Sequence, residues 1–573
     1  MANPFFRKKN IDQILADAKS GVGDTENFSL HKVLGVRDIT FLGMAAIIGA
    51  GIFSTIGQAC FDGGPAVILL FVFIAIACGF TALCYAEMAS RIPVAGSAYT
   101  YTYATFGELI AWIIGWDLIM EYAVGNITVA ISWSGNFVTF LKQIGVHLPQ
   151  HICYSFLEVK NKHALHIENI ANGIASNEYI IQMHQLWENA PKVFGVPIIF
   201  NLPAFIITVL ITALVYIGIK ESRKAANAMV VFKILVVIAV IFIGFFYVQP
   251  SNWQPFAPNG FSGVLKGVSA VFFAYIGFDA LATVAEECKN PQRDLPKGMI
   301  YSLIIATTLY ILTALVLTGM VKYTELNNEA FLANAFLQKG INWVGGVIAF
   351  SALIATASVL LVFQIGQPRI WMSMSRDGLL PKKFATIHPK FKTPSFSTIL
   401  TGFLVGVPAL FLDAAFVTDM CSIGTLFAFA LVCGGIIILH QKKDEIKPQF
   451  KLPNINGKFI IPVLFVVFCY FFFTIKNEDG SSYWQSIYSF SQGWEVWKHQ
   501  IPMQLFVASF LIISILSFIK NYSLIPVLGL LCCLYLLSTL GLVNWIRFII
   551  WLIIGIVIYL NYGKKHSLLQ QKK

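Results

Sequence analysis

The chain has little charge. Only 12% of its 573 residues are Asp, Glu, Lys or Arg, about half of what soluble domains contain. By contrast, 57% of the residues are apolar and the mean hydropathy is +0.72. This balance excludes a disordered chain and argues against a soluble enzyme. The net charge is +11. We interpret it by where the positive residues lie relative to the apolar segments, and not as evidence of a nucleic-acid partner.

Several chemical motifs are also missing. The ten cysteines form no CxxC pair and no zinc-type spacing with histidine, and most lie within apolar runs, which indicates small buried residues. No P-loop is present, which argues against a protein powered directly by ATP hydrolysis. Residues 1–37 are polar and lack the apolar core of a signal peptide. We therefore expect no metal, no cofactor and a cytoplasmic N-terminus.

Long apolar segments are abundant. A hydrocarbon layer of about 30 Å requires about 20 apolar residues per helix, and fourteen segments reach this length, which predicts an all-α polytopic membrane protein. Because very short polar turns join the last three segments, twelve spans are the alternative. The predicted spans are 40–60, 65–90, 108–140, 197–218, 226–248, 263–285, 299–321, 343–367, 396–413, 415–440, 458–475, 502–519, 522–541 and 543–562.

The positive charges are distributed unequally between the two sides of these spans. With the N-terminus inside, 29 of the 40 Lys and Arg residues lie on inner segments, and all but one of the others lie on outer segments. This bias predicts that both termini lie in the cytoplasm, below the cell inner (plasma) membrane, and that the number of spans is even.

One outer segment, residues 142–196, is unusually long and polar. Two of its histidines, His147 and His151, are four residues apart, which would suit a metal on one helix face, but nothing else at ligand spacing supports such a site. A solvated loop is the favoured interpretation. The histidines of this segment are His147, His151, His163, His166 and His184.

Two spans have glycines at their centres. These central runs are Ile47-Ile48-Gly49-Ala50-Gly51-Ile52-Phe53 in the first span and Phe273-Ala274-Tyr275-Ile276-Gly277-Phe278-Asp279 in the sixth. Glycine lets the backbone leave helical geometry, and irregular backbone persists in a membrane only where it lines an enclosed cavity. For either span alone, close helix packing through small residues is the alternative.

The pairing of these two spans favours a binding site. They correspond if the chain contains two five-helix repeats, the second inverted, and interrupted helices at matching positions predict a substrate site at the membrane midplane. Free amides and the positive dipole end attract a carboxylate, whereas free carbonyls attract an ammonium. Both poles together match the zwitterionic head of an amino acid.

Ionisable residues within spans are functional candidates. Asp117 and Glu121 lie four residues apart on one face of the third span. Glu121 either accepts a cationic side chain, carries a coupling proton or forms structural pairs. Lys233, in the fifth span, either snorkels to the interface or reaches into the bundle, and its depth favours the bundle. There it either supplies a fixed positive charge or exchanges a proton during the transport cycle.

Further motifs narrow the family. In order along the chain they are GAGIF at 49–53, YAEMASRIPVAGSAYTY at 85–101, FFAYIGFD at 272–279 with Glu286-Glu287, GQPR at 366–369 and SRDGLLP at 375–381. Together they resemble the cationic amino acid transporter family, in its bacterial branch, of the amino acid–polyamine–organocation superfamily. The resemblance covers residues 30–440.

The resemblance implies a fold and its division along the chain. The fold is a LeuT-like 5+5 inverted repeat with four additional C-terminal transmembrane helices. The implied units are a cytoplasmic N-terminus at 1–38, a first repeat at 39–248 with the outer loop 142–196, a second repeat at 249–440, and additional helices with a cytoplasmic tail at 441–573.

The resemblance also implies site residues. The substrate carboxylate is expected at first-helix amides, around Gly49, Ala50 and Gly51. The substrate ammonium is expected at carbonyls around Ile47, Phe273, Ala274 and Ile276. Lys233 matches a lysine that replaces sodium in proton-coupled members, Glu121 matches an acidic third-helix residue, and Thr356 and Ser358 are candidates for the side-chain pocket.

These observations predict a secondary active transporter of L-amino acids that works by alternating access, with proton-coupled symport favoured and exchange as the alternative. A membrane enzyme would need a histidine cluster at a membrane face, and a channel a symmetric filter; neither is visible. The expected partners are an L-amino acid, protons and membrane lipid, with no nucleic acid and no obligate protein partner.

Charged residues on the inner side allow two interpretations. They form ion pairs of an inner gate, or they only follow the positive-inside bias and bind lipid headgroups. The gate candidates are Glu87, Arg91 and Arg369, with Glu286, Glu287, Arg293, Arg376 and Asp377 as further members.

Overall fold

The computed structural model describes residues 7–20, 30–49, 51–176, 178–260, 263–264, 267–326, 331–441, 448–474, 484 and 497–571. Within these ranges the only strands are β1 (Lys192–Val193) and β2 (Val196–Pro197), which pair antiparallel. The remainder is helices and short connections. The chain is therefore all-α in its architecture, as the apolar segments predict.

The helices follow one another along the whole described chain. They are α1 (Ile11–Ser20), α2 (Val36–Ile47), α3 (Ile56–Gly63), α4 (Val67–Arg91), α5 (Ala98–Thr105), α6 (Glu108–Gln143), α7 (Phe156–Ala171), α8 (Glu178–Asn189), α9 (Leu202–Ile217), α10 (Ile219–Phe245), α11 (Val268–Phe273), α12 (Pro291–Met320), α13 (Phe331–Gln338), α14 (Asn342–Arg376), α15 (Ser395–Phe411), α16 (Ala414–Gln441), α17 (Ile460–Thr474), α18 (Ile501–Lys520), α19 (Leu524–Thr539), α20 (Leu542–Ile558), α21 (Lys564–His566) and α22 (Leu568–Gln571).

In the described ranges, nine helical segments are long and apolar enough to cross a membrane, and four shorter apolar helices accompany them. The sixth predicted span, 263–285, is not among the nine because it is broken into short pieces. The count of fourteen spans stays a prediction. Large side chains on the outer faces of these helices, such as Leu235 and Phe242, are exposed, as is typical of helices surrounded by lipid.

The core of the bundle is formed by the helices that carry the predicted site residues. α14 packs against α6, α12 packs against α2 and α4, and α16 packs against α6 and α19. α10 lies against α2 and α14. The two glycine-containing breaks therefore lie inside the bundle.

Both ends of the described chain meet the same face of the molecule. Lys9 Nζ lies 2.6 Å from Asp377 Oδ1, and the backbone N–H of Glu108 donates to the carbonyl of Arg7 at 2.9 Å. From the other end, the Ser567 hydroxyl donates to Glu108 Oε2 at 2.6 Å. A shared face requires an even number of crossings, and its assignment to the cytoplasm stays a prediction.

The segment 142–196, predicted to lie on the outer side, is a folded helical hairpin and not a plain solvated loop. α7 and α8 pack on each other around a small core of their own, made by Val159, Met183, Leu186, Ala190 and Ile199. Apolar residues at helical spacing in both helices explain this core, and the many histidines and lysines between them hide that pattern in the sequence.

The pair His147 and His151 does not share a helix face. His147 lies in extended chain after α6, and His151 lies in a 3-10 turn (Gln150–Ile152). The spacing of four residues therefore does not bring the two histidines onto one helix face. Across the part of the chain that the structure describes, no group of three or more His, Cys, Asp or Glu residues is arranged to hold a metal ion.

Candidate substrate site

The first break follows α2. The helix ends at Ile47, and Ile48 leaves helical geometry with φ −79° and ψ 86°. Helical structure resumes as a π turn (Gly51–Thr55) that continues into α3. Ala50, one of the predicted site residues, lies outside the described residues. The interruption frees carbonyl groups at the end of α2 from their place in the helical hydrogen-bond ladder.

The second break follows α11. The helix ends at Phe273, a turn spans Ala274 to Gly277, and a 3-10 helix (Phe278–Glu287) continues the chain. Gly277 has φ +117°, a conformation that side chains rarely adopt, and a Cβ there would lie 2.7 Å from Ala46 Cβ. Glycine is therefore required both for the turn and for the close approach of the two breaks.

A tyrosine of α12 joins the two breaks. The Tyr310 hydroxyl lies 2.6 Å from the carbonyl oxygen of Ile47 and 2.9 Å from that of Ala274. Tyr310 is fully buried. The sequence reasoning missed this residue, and the only signal for it was a hydroxyl group in an otherwise apolar span.

Lys233 of α10 reaches into the bundle and does not snorkel. Its side chain is fully buried. Its Nζ donates to the carbonyl of Ala45 at 3.1 Å, to the carbonyl of Ile48, and to the Ser358 hydroxyl at 2.7 Å. Three donors meet three acceptors, none of which carries a charge, so the ammonium is fully hydrogen-bonded at the end of α2.

Ser358 strengthens this contact from α14. Its hydroxyl lies 3.1 Å from the Ala45 carbonyl as well as next to Lys233 Nζ. Thr356, the other α14 candidate, bonds back to its own helix, to the carbonyl of Ala352 at 2.8 Å. Ser358 therefore contacts the first break, whereas the Thr356 hydroxyl is engaged within its helix.

Asp117 and Glu121 both face α16, as their spacing on one helix face predicts. Glu121 Oε1 accepts from the Thr425 hydroxyl at 2.6 Å, and a Cβ at Gly424 would lie 2.7 Å from Asp117 Oδ1. Among the described residues, Glu121 Oε2 and both oxygens of Asp117 have no hydrogen-bond partner. Buried charge of this kind is costly, so these positions require a physical explanation.

A small cavity of about 20 Å³ lies between the two breaks. Its walls come from the two broken helices together with α6, α14 and α16, and apolar side chains dominate them. Glu121 and Thr356 are not lining residues. The lining residues are Ala46, Ile47, Gly51, Val129, Ile276, Val359, Phe363 and Cys421. Of the predicted site residues, the cavity brings together Ile47, Gly51 and Ile276.

The remaining predicted site positions surround this cavity. Gly49 packs on α14, since a Cβ there would overlap Val359 Cγ2. Ala274 contributes its carbonyl to Tyr310. The backbone of Phe273 ends α11, and its side chain lies outside what the structure describes.

The gate candidates form two separate groups of ion pairs. Arg91 pairs with Glu87 one turn away on α4, with Nη2 2.7 Å from Oε1, and His440 of α16 lies 3.0 Å from the same Glu87 oxygen. Arg369 of α14 holds Glu287 with two hydrogen bonds of 2.6 Å. Only the second group joins α14 to the segment that follows the second break.

A second bridge runs parallel to the Arg369 pair. Arg376 Nη1 lies 2.7 Å from Glu286 Oε1, so consecutive glutamates bind two arginines of α14. The Arg369 pair is buried, with side-chain exposures of 2% and 0%, whereas the Arg376 pair is partly exposed. These pairs connect the 3-10 helix Phe278–Glu287 to α14 on the face that carries both termini.

Replacing Arg369 with methionine is expected to lower the free energy of unfolding by about 3–5 kcal/mol, because Glu287 then stays buried without its partner. Lys192→Met is the matched control, since Lys192 and Glu188 pair with exposures of 41% and 52%, and its expected effect is less than about 1 kcal/mol. Thermal unfolding of the purified protein in detergent measures both. Equal midpoints for the two variants would contradict this assignment.

Two family models match the chain. The one described as amino acid permease covers residues 34–496, and the one described as the C-terminus of AA_permease covers residues 522–567. The first alone spans most of the chain and includes both breaks and the cavity.

Relatives align over nearly the whole length. The branched-chain amino acid permease BcaP of Bacillus subtilis (strain 168) is 37% identical over 572 residues, 100% of both chains. The methylthioribose transporter of the same organism is 34% identical over 567 residues, 99% of both chains. Cationic amino acid transporter 4 of Homo sapiens is 30% identical over 611 residues, 96% of this chain and 90% of that protein.

These matches confirm the resemblance found in the motifs, and with the apolar helices they identify an integral membrane protein from a family of transporters. Two broken helices meet in the interior of the bundle, and residues of both line a small cavity. The chain belongs to the amino acid permease family of the amino acid–polyamine–organocation superfamily.

Proposed function

We propose that the protein is a secondary active transporter that carries L-amino acids across the inner (plasma) membrane by alternating access, coupled to protons. One observation carries this proposal: the carbonyls of Ile47 and Ala274, from two different broken helices, converge within hydrogen-bond distance of one hydroxyl group. Interrupted helices that meet at a cavity are the feature on which transporters of this architecture build a substrate site.

The head of the substrate binds between the breaks. Its ammonium replaces the Tyr310 hydroxyl at the carbonyls of Ile47 and Ala274, with the backbone of Phe273 and Ile276 close by. Its carboxylate binds amides of the stretch from Gly49 to Gly51, where helical structure resumes and the dipole is positive. This stretch includes Ala50.

The lining of the cavity favours a neutral apolar side chain. Val129, Ile276, Val359 and Phe363 offer no charge to a lysine or arginine substrate, and burying an unpaired cation against them would be costly. The branched-chain permease among the relatives agrees with this class. Cationic amino acids are the second candidate, because the human relative is a cationic amino acid transporter and Cys421 of the cavity wall contacts the backbone carbonyl of Glu121.

Competition for uptake separates the two substrate classes. In proteoliposomes with an inward proton gradient, unlabelled valine, leucine or isoleucine is expected to abolish uptake of labelled leucine, whereas lysine and arginine leave it unchanged. Protein-free liposomes and a dissipated gradient serve as controls. Absence of uptake for all twenty amino acids would reject the transport proposal, and competition by lysine and arginine alone would select the second candidate.

The coupling proposal gives different tasks to two ionisable groups. Lys233 supplies a fixed positive charge at the end of α2, where the resemblance places sodium in other members. Glu121 carries the proton, because its Oε2 is buried without a hydrogen-bond partner among the described residues and α16, which it contacts, also lines the cavity through Cys421. A proton removes the cost of a buried anion at this position.

Glu121→Gln tests the proton role. The amide keeps the hydrogen bond to Thr425 but cannot release a proton, so uptake driven by a pH gradient is expected to fall at least about tenfold while exchange of internal for external substrate continues. Glu168→Gln, on the exposed face of α7, is the matched control and leaves both unchanged. Selective loss of cationic substrates would instead assign Glu121 to side-chain recognition, and equal loss of uptake and exchange would indicate a structural role.

The inner ion pairs hold the cavity closed on one side. Arg369 with Glu287, and Arg376 with Glu286, connect α14 to the segment after the second break, so opening on this face requires both bridges to separate. The 5+5 inverted repeat, the unit boundaries given above and the cytoplasmic position of both termini belong to this proposal. Exchange without net proton movement is the alternative mode of transport.

A further inference from the structure

Three histidines of the outer hairpin form a cluster that the substrate site does not use. His163 and His166 lie on α7, and His184 lies on α8. The Nδ1 atoms of His163 and His184 are 2.9 Å apart, and the two rings are stacked with centroids 4.9 Å apart. The ring of His166 is 4.4 Å from that of His184. The cluster therefore joins the two helices of the hairpin.

The contact between His163 and His184 depends on protonation. A hydrogen bond between two ring nitrogens needs one donor and one acceptor, so at least one of the rings must be neutral. When both rings are protonated, both nitrogens are donors and two positive charges face each other. His166 does not accept a hydrogen bond from either ring through its Nδ1, because that atom is directed to the Ser176 hydroxyl at 2.9 Å.

We propose that the His163–His184 contact is a pH-dependent latch, which holds α7 against α8 when one ring is neutral and releases the hairpin when both are protonated. The ligand of this site is the proton. The latch acts on the hairpin itself, so its existence does not depend on the transport function proposed above.

The surroundings determine the pH range of the latch. Burial, followed by the positive charge of His184, lowers the pKa of His163 below its ordinary value of 6.5. His166 and Lys192 act in the same direction, and Glu188 opposes them. The separated hairpin therefore binds protons more readily than the closed one. The closed form is fully stable above the ordinary histidine pKa and loses stability as the pH falls through 6.5 and below.

Other charged groups lie around the hairpin. Asn161, two residues before His163, donates to Asp413 in the connection between α15 and α16 at 3.3 Å. Lys192 pairs with Glu188 at 3.5 Å. Apart from the histidines, the charged groups that face the hairpin contact are therefore Glu188, Lys192 and Asp413.

The hairpin is small enough for such a change to matter. Its core contains five buried apolar side chains. A unit with so small a core has a low free energy of unfolding. It is also tied to the membrane helices: the N–H of Phe200, two residues before α9, donates to the carbonyl of His151, and that of Asn201 donates to the carbonyl of Leu410 in α15.

Hydrogen exchange of the purified full chain tests the latch directly. Between pH 8 and pH 5, with EDTA present and rates corrected for intrinsic exchange, amides of α7 and α8 are expected to lose protection by up to about tenfold per pH unit for each additional proton bound. His184→Gln is expected to remove this pH dependence while keeping protection at pH 8. His147→Gln, which changes an exposed histidine of the same segment, retains the full response.

The outcomes are distinct. Unchanged protection of α7 and α8 in the wild-type chain from pH 8 to pH 5, or an undiminished response in His184→Gln, would overturn the latch. If His184→Gln is unprotected already at pH 8, the variant His163→Gln provides the same test from α7. Uptake measurements are not part of this test, so a failed transport proposal leaves its result intact, and a failed latch leaves the transport proposal intact.

Discussion

Lys233→Met is expected to abolish uptake driven by a proton gradient. The ammonium of Lys233 makes three hydrogen bonds, to the carbonyls of Ala45 and Ile48 and to the hydroxyl of Ser358. Hydrogen bonds to a charged group contribute about 1.5–3 kcal/mol each, and methionine replaces none of them. The end of α2 then loses both the positive charge beside it and the hydrogen bonds through Lys233 that connect it to α10.

The measurement is uptake of labelled leucine in proteoliposomes with and without a pH gradient, with the amount of inserted protein determined in the same vesicles. Lys220→Met is the matched control, because Lys220 begins the same helix on its exposed side, and it is expected to retain wild-type uptake. Full, pH-dependent uptake by Lys233→Met would refute the role assigned to this lysine.

Gly51→Val is the second change with a large expected effect. A Cβ at position 51 would lie 2.6 Å from Ala274 Cβ, 2.7 Å from Ala274 Cα and 3.2 Å from the Tyr310 hydroxyl. Part of this obstacle is backbone, which cannot rotate away, so the two breaks must move apart. Overpacking of this kind costs about 1–3 kcal/mol and also fills the cavity, so uptake is expected to fall to background.

A graded series separates loss of the site from loss of the fold. Gly51→Ala is expected to show intermediate uptake, since its single methyl group meets the same atoms with less volume. Gly79→Val, in α4, is the control, because a Cβ at Gly79 meets no atom within 4 Å. Thermal unfolding of all three variants checks that they are folded. Wild-type uptake by Gly51→Val would remove the case for a site built from backbone groups.

Much of the architecture could be predicted from composition and segment length. A membrane helix requires only a sufficient run of apolar residues, which is a property of consecutive positions. The predicted spans overlap the helices, for example 226–248 with α10 (Ile219–Phe245) and 299–321 with α12 (Pro291–Met320), although both helices begin seven or eight residues earlier. The hairpin of α7 and α8 was not predicted, because its apolar core is shared between two polar helices. The sequence of either helix alone does not indicate such a core.

The site was predictable in part. The glycines predicted both breaks, and at the second break Gly277 has a φ of +117°, which residues with side chains rarely adopt. Tyr310 was not predictable, because its role arises from two carbonyls that lie 263 and 36 positions away along the chain. The same holds for the position of Glu121, whose spacing on α6 does not reveal whether it faces the cavity or α16.

By itself, the sequence determined that the protein is a helical membrane protein of a permease family, that two of its helices are broken, and that a lysine lies deep within a span. The tertiary structure alone decided that this lysine reaches the end of α2, from 188 positions away, and that Tyr310 joins the breaks. The physical reason is that apolar length and glycine content act locally. Hydrogen-bond partners for buried polar groups, by contrast, are supplied by whichever distant helices pack alongside them.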